Sequence, residues 1–180
     1  ASMEPEMVYL AIFVNKVGAK IEGAGTNVIK ITGVEKLKDV SYSIMPDRIE
    51  AGTLLCAVAI TGGKVKLNKV IPEHINQILN KLEQTGCEIK IENKCVCLKA
   101  PKKIKAVDIK TMPYPGFPTD MQSVFASILT IAKGNSVIVE NIFENRYKYV
   151  SELKRMGAKI TVEGRIAVIK GCKKLSGATV

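Results

Sequence analysis

Apolar residues recur along this chain in two patterns, one with the period of a helix and one with the period of a strand. A stretch with helical spacing, a glycine and two short alternating runs follow one another three times, beginning near Val8, Ile75 and Tyr149. The helical spacing predicts an amphipathic helix, and the glycine ends it in a left-handed conformation. The alternating runs predict a β-hairpin after each helix.

The glycines that end these helices, Gly18, Gly86 and Gly157, lie about 70 residues apart, so the whole block repeats. Between the blocks a second pattern also recurs, in which a predicted helix is followed by a predicted strand. Its copies are residues 47–61 with 64–68 and residues 121–133 with 136–140. A unit of helix, strand, helix and hairpin that repeats along the chain predicts an α/β fold with internal pseudo-symmetry.

Composition restricts the class of protein. The 180 residues, 47% of them hydrophobic, can bury a core as one domain or as two small ones. The net charge of +10 favours an anionic partner such as a nucleotide, nucleic acid or acidic membrane, although scattered surface lysines explain it equally well. Apolar runs stay well below the ~20 residues of a membrane span, and the first residues lack a secretory pattern, so we expect a cytoplasmic protein without a membrane segment.

The cysteines point to a reducing compartment and to no metal. They are five in number and lack the paired CxxC spacing of a zinc site. Cys95 and Cys97 stand at alternate positions of a predicted strand and therefore face the same way, which favours buried thiols over a metal pair. We expect no metal and no cofactor.

The loop of residues 113–118 is the most distinctive stretch of the chain. Three prolines and a glycine make it stiff and extended, and the following residues, Thr119 and Asp120, are typical of a helix start. Pro46 and Asp47 repeat this arrangement before the other helix. The pattern alone favours a helix-capping role for both aspartates, while a carboxylate at the end of a rigid loop also suits general-base chemistry.

Several motifs together resemble the second half of the UDP-N-acetylglucosamine enolpyruvyl transferases. They are Glu4-Pro5-Glu6, residues 42–52, Phe-Pro-Thr-Asp-Met-Gln at 117–122, Ile-Phe-Glu-Asn-Arg at 142–146 and Met156-Gly157-Ala158, and they span the whole chain in order. The family fold implied is an inside-out α/β barrel of repeated βαβαββ units, with helices inside and sheets outside. Residues 1–41 would end a first lobe, and residues 46–180 would form two units of a second lobe, 46–106 and 107–180, within a longer protein.

The resemblance also implies an activity. The family transfers the enolpyruvyl group of phosphoenolpyruvate to the 3-hydroxyl of UDP-N-acetylglucosamine in bacterial peptidoglycan synthesis, and so serves cell-wall biogenesis, cell shape and cell division. Asp120 matches the aspartate that takes the hydroxyl proton, Ile142 matches a nucleotide-sugar contact made through main-chain groups, and Thr119 and Phe143 adjoin that site. The family's cysteine loop and phosphoenolpyruvate-binding cations are expected outside this chain, so we expect the isolated chain to be inactive.

A non-catalytic basic α/β module that binds a nucleotide or RNA is the alternative. RNA 3′-phosphate cyclases have a similar repeated architecture, but their histidine motif is missing here, so we do not expect nucleic-acid binding. The amino-terminal helix carries Tyr9, Ile12 and Phe13, which would leave an apolar patch without a partner. Residues 1–41 are therefore expected to complete the second lobe or to mediate self-association.

Overall fold

The computed structural model describes residues 1–179 as five α-helices and nine strands. Two helices are preceded by a 3₁₀ turn, at Pro72–Ile75 and at Thr119–Met121. The helices are α1 (Pro5–Lys16), α2 (Arg48–Thr61), α3 (Asn76–Gln84), α4 (Gln122–Leu129) and α5 (Val150–Arg155). The strands are β1 (Lys20–Glu22), β2 (Lys30–Thr32), β3 (Lys64–Asn68), β4 (Glu88–Glu92), β5 (Cys95–Lys99), β6 (Ile109–Lys110), β7 (Asn135–Val139), β8 (Lys159–Glu163) and β9 (Ile166–Lys170).

The two larger sheets have the same construction, which confirms the internal repeat. One has the strand order β3-β5-β4 and the other the order β6-β7-β9-β8. In each, a strand is followed by a helix and a hairpin, and the second hairpin strand pairs antiparallel with the first strand of the unit. The short β6 is added parallel to β7, and α4 forms the crossover between them. Strands β1 and β2 form a separate hairpin after α1.

Helices α2 and α4 pack against each other between these two sheets. Every residue of α4 is buried or half-buried, and Phe125, Ile128 and Leu129 form the centre of the core. The sheets are the outer layers, since β9 buries Ala167 and Ile169 and exposes the alternate side chains. The expected arrangement with helices inside is therefore observed, with one correction: α2 buries only one face, and Leu54 on the other face is 47% exposed.

The carboxyl end of α4 also differs from the prediction, because the helix ends at Leu129 and does not reach Lys133. The chain leaves the helix there to bond with neighbouring segments: the Thr130 carbonyl accepts from the Cys172 N–H at 2.8 Å, and the Lys133 N–H donates to Ile104 at 2.7 Å. Gly171 passes so close that a β-carbon would lie 1.7 Å from the Ala132 carbonyl oxygen. Tertiary hydrogen bonds thus replace the last helical turn.

Residues 1–41 contact the rest of the chain at few points. In α1 only Pro5 and Ala11 are buried. The Glu6 carboxylate pairs with the Arg48 guanidinium at 2.8 Å, and the rings of Tyr9 and His74 meet edge to face with centroids 5.7 Å apart. The division into residues 1–41, 46–106 and 107–180 stays a prediction, as does self-association. Across residues 1–179, none of the helices combines the length and the apolar character needed to cross a bilayer.

Candidate functional site

The proline-rich loop is held by its own backbone and by one aromatic anchor. The Met112 N–H donates to the Phe117 carbonyl at 3.0 Å, and the Gly116 N–H donates to the Pro113 carbonyl at 2.7 Å. A β-carbon on Gly116 would lie 2.4 Å from the Met112 β-carbon, so only glycine fits. Phe117 is buried and packs edge to face on Phe125 of α4. The end of the loop is thereby fixed against the core.

A cleft of about 510 Å³ opens at this point. Its wall includes all four predicted site residues, Thr119, Asp120, Ile142 and Phe143. The rest of the lining comes from residues 1–4, Arg48, Met112, Pro113, Tyr114, Gly116 and Pro118. Four parts of the chain that are far apart in sequence therefore meet around one cavity, and the functions assigned to these residues stay predictions.

Asp120 does not cap a helix, so the simpler explanation of this residue is wrong. It lies inside the 3₁₀ turn that precedes α4, and neither helical segment has a side-chain cap there. Its Oδ1 accepts a hydrogen bond from Arg146 Nη2 at 2.7 Å, and the Arg146 guanidinium lies 5.0 Å from the centre of the Phe143 ring. Asp47 does cap its helix, since its Oδ1 accepts from the N–H groups of Ile49 and Glu50.

Glu140 is the residue of this site that the motif analysis missed. Its carboxylate is only 1% exposed and accepts five hydrogen bonds. Oε1 accepts from the Thr111 hydroxyl at 2.9 Å and from the main-chain N–H groups of Ile142 at 2.8 Å and Phe143 at 3.1 Å. Oε2 accepts from the Thr119 hydroxyl at 2.8 Å and from Gln122 Nε2 at 3.1 Å. One buried carboxylate thus connects Thr119 with Ile142 and Phe143 at the cleft wall.

The donors around Glu140 also decide its protonation. Burial acts most strongly and by itself would raise the pKa of this carboxyl, but the Ile142 and Phe143 N–H groups and the two threonine hydroxyls together lower the pKa below its ordinary value. Glu140 is therefore ionised in the folded protein near neutral pH. The alternation of buried and exposed residues along β7 could have revealed Glu140 as a buried carboxylate, because Ser136 and Ile138 are buried and Glu140 continues the same face.

Two arginines give the cleft region a positive component. Arg48 lines the cleft, is 8% exposed, and lies with its guanidinium carbon 5.7 Å from the centre of the Tyr114 ring. Arg146 stands beside Asp120, so each arginine has a carboxylate partner. Over the described part of the chain, His, Cys, Asp and Glu side chains form no group of three or more that could hold a metal ion. The site is thus built from hydrogen-bonding groups and balanced charges.

Comparison with known proteins identifies relatives over the whole chain. The chain is 56% identical over 180 residues to the UDP-N-acetylglucosamine 1-carboxyvinyltransferase of Trichlorobacter lovleyi, covering all of this chain and 43% of that protein. It is 53% identical over 180 residues to UDP-N-acetylglucosamine 1-carboxyvinyltransferase 1 of Caldanaerobacter subterraneus, again over all of this chain and 43% of the relative. The chain therefore spans less than half the length of these curated relatives, and the resemblance drawn from the motifs is confirmed.

Solved structures confirm the fold. The enolpyruvyl transferase NikO from Streptomyces tendae matches with a TM-score of 0.78 and 22% identity, over 93% of this chain and 40% of that one. EPSP synthase from Acinetobacter baumannii matches with a TM-score of 0.68 and 22% identity, over 91% of this chain and 40% of that one. The family profile described as EPSP synthase (3-phosphoshikimate 1-carboxyvinyltransferase) matches residues 1–180. The chain belongs to the EPSP synthase family of carboxyvinyltransferases.

Proposed function

We propose that this chain is a segment of an enzyme that transfers the enolpyruvyl group of phosphoenolpyruvate to the 3-hydroxyl of UDP-N-acetylglucosamine, in bacterial peptidoglycan synthesis. One observation carries the proposal. Thr119, Asp120, Ile142 and Phe143 line a single cleft in a chain that is 56% identical to a UDP-N-acetylglucosamine 1-carboxyvinyltransferase. From that substrate we further infer a cytoplasmic location and a role in cell-wall biogenesis, and hence in cell shape and cell division.

In this proposal Asp120 is the general base. In an addition step, the sugar 3-hydroxyl oxygen bonds to C2 of phosphoenolpyruvate, the hydroxyl proton passes to the Asp120 carboxylate, and the C2=C3 π bond breaks as C3 takes up a proton. In the elimination that follows, C3 loses a proton, the double bond forms again, and the bond between C2 and the phosphate oxygen breaks to release phosphate. A positioned base of this kind contributes about 10²- to 10⁴-fold to a rate. The Arg146 contact at 2.7 Å and the rigid loop before Thr119 restrict the carboxylate, which reduces the entropy lost on reaching a reactive geometry.

The nucleotide sugar is proposed to bind along Thr119, Ile142 and Phe143. Phe143 is 51% exposed and offers a ring face to a ligand, while Thr119 and Ile142 offer polar groups at the same wall. Phosphoenolpyruvate carries several negative charges and needs cations that the family is expected to supply from outside this chain. The isolated chain is therefore proposed to be inactive.

The test is a phosphate-release assay on the full-length protein that contains this segment. Phosphate should appear only when phosphoenolpyruvate and UDP-N-acetylglucosamine are both present, and added metal ions should have no effect. Shikimate 3-phosphate is the matched control acceptor, because the family profile carries the name of the enzyme that uses it. Release with shikimate 3-phosphate in place of the nucleotide sugar, or release with neither, would show that the proposed substrate is wrong.

A further inference from the structure

We propose that Glu140 is a positioning residue that fixes the direction of the hydrogen bonds at the cleft wall, so that the Thr119 hydroxyl and the Ile142 main chain can only accept hydrogen bonds from a ligand. This inference rests on the proposed function for the identity of the ligand. Its physical basis is the buried carboxylate itself, which accepts from five donors, three of them on the wall residues Thr119, Ile142 and Phe143.

Thr119 illustrates the effect on a side chain. A threonine hydroxyl has one hydrogen to donate and two lone pairs with which to accept. The Thr119 hydroxyl gives its hydrogen to Glu140 Oε2 at 2.8 Å. Because a carboxylate without a proton can only accept, this bond cannot reverse while Glu140 is ionised. The lone pairs of the Thr119 oxygen are then what remains for a ligand in the cleft.

Ile142 shows the same effect on the main chain. Its N–H donates to Glu140 Oε1 at 2.8 Å and is therefore not available to a ligand. Across residues 1–179, no donor bonds to the Ile142 carbonyl oxygen, which is the one main-chain polar group this residue has left. The expected main-chain contact at Ile142 is consequently an acceptor. Asp120, which follows Thr119 in the cleft wall, also offers an acceptor through its side-chain carboxylate.

The Thr119 hydroxyl, the Ile142 carbonyl and the Asp120 carboxylate are a set of acceptors on this wall, and they select ligand groups that donate. Hydroxyl, amide N–H and ring N–H groups would pair with them, whereas carbonyl or phosphate oxygens would face lone pairs and lose their hydration without compensation. We infer that the hydroxyl and N–H groups of the nucleotide sugar contact this wall, and that its phosphates lie elsewhere. Glu140 is not proposed to touch the ligand, since its own lone pairs are fully used.

Glu140→Gln is the sharpest perturbation, because it keeps the shape of the side chain. The glutamine oxygen should remain at Oε1, where three donors converge, so the amide group must replace Oε2. That amide donates to Thr119, which then has to turn its own hydrogen toward the cleft, and Gln122 has to turn its own amide so that its oxygen accepts. Glu144→Gln is the matched control: it is the same chemical change four residues along the chain, on a side chain that is 82% exposed.

The measurement is a double-mutant cycle of Glu140→Gln and Thr119→Val in the full-length enzyme, with KM determined separately for each substrate. Each single variant should raise the KM for UDP-N-acetylglucosamine about tenfold and leave the KM for phosphoenolpyruvate within about threefold. If Glu140 acts through Thr119, the KM of the double variant for UDP-N-acetylglucosamine should be no worse than that of either single variant. Glu144→Gln should match the wild type.

Two results would overturn the inference: KM effects that multiply to about a hundredfold in the double variant, or a Glu140→Gln enzyme that behaves like Glu144→Gln. If Glu140→Gln does not fold, Thr119→Ser and Thr119→Val decide in its place, since the serine should keep a normal KM and the valine should not. If the wild-type protein shows no turnover, the proposed function is rejected, but the role of Glu140 can still be tested. The role of Glu140 would then be read from amide exchange at Ile142 and Phe143, which Glu140→Gln should accelerate at least about tenfold and Glu144→Gln should not.

Discussion

Replacing Asp120 by asparagine in the full-length enzyme should separate catalysis from stability. Asparagine has the same shape as aspartate but cannot take a proton at neutral pH. The structural cost is small, because Asp120 caps no helix and its contact with Arg146 joins side chains that are 56% and 39% exposed. An ion pair this accessible to solvent contributes about 0.2–1 kcal/mol, so the free energy of unfolding should fall by no more than about 1 kcal/mol.

The catalytic cost should be much larger. Loss of a general base lowers a rate by about 10²- to 10⁴-fold, which corresponds to roughly 2.7–5.5 kcal/mol in the activation free energy. We therefore expect kcat to fall by two to four orders of magnitude. The KM for UDP-N-acetylglucosamine should stay within about tenfold of the wild-type value, because asparagine can still accept a hydrogen bond from the sugar.

The assay is steady-state phosphate release at saturating substrates, together with urea unfolding of the same samples. Asp47→Asn is the matched control: it makes the same change at the corresponding position of the other unit, where the aspartate is a helix cap. Asparagine is also a good cap, so this control should keep wild-type turnover and nearly wild-type stability. A kcat for Asp120→Asn near that of the wild type, or an equal loss in Asp47→Asn, would refute the assignment of Asp120 as the base.

Three further predictions concern stability and reactivity. Folding lowers the pKa of Glu140 below its ordinary 4.5, so its stabilising contribution is present above that pH and is lost as the pH falls through the folded pKa. Urea unfolding between about pH 3 and 6 should therefore show that the free energy of unfolding falls less steeply with acid in Glu140→Gln than in the wild type. Burial, reinforced by the nearby Cys87 thiol, raises the pKa of Cys56 to about 12. Iodoacetamide at about pH 8 should therefore modify the half-buried Cys97 and leave Cys56 unmodified until denaturant is added, which mass spectrometry can measure. Phe125→Ala should lower the free energy of unfolding by about 3–5 kcal/mol in chemical denaturation, because the ring is fully buried and packs on Phe117; a loss below about 1 kcal/mol would contradict the core described here.

Local patterns predicted the repeated unit well. The helix predicted over residues 47–61 is observed as α2, and the strand over residues 64–68 is observed as β3. Helical and strand periodicity depend on which face of an element is buried, and a glycine ends a helix through its own backbone freedom. Gly86 and Gly157 do adopt positive φ angles, of 102° and 96°. These features involve residues close in sequence and can therefore be read from the chain.

Long-range contacts were the part that the sequence could not supply. The partner that draws Asp120 away from a capping role is Arg146, 26 residues later. The early end of α4 depends on Cys172, and the hydrogen bonds of Glu140 come from donors as distant as Thr111. Only the position of Glu140 directly after β7, in line with the buried face of that strand, gave a local signal, since a buried carboxylate requires several donors.

The closed shell of donors around Glu140 has a consequence for inhibitor design. A carboxylate offers about four lone-pair sites, and five protein donors already occupy those of Glu140. A compound extended toward this acid would have to break existing bonds and would gain little affinity from it. The productive approach is a neutral scaffold that places hydroxyl or N–H groups against Thr119 and Asp120, with any acidic group kept on the side of Arg48.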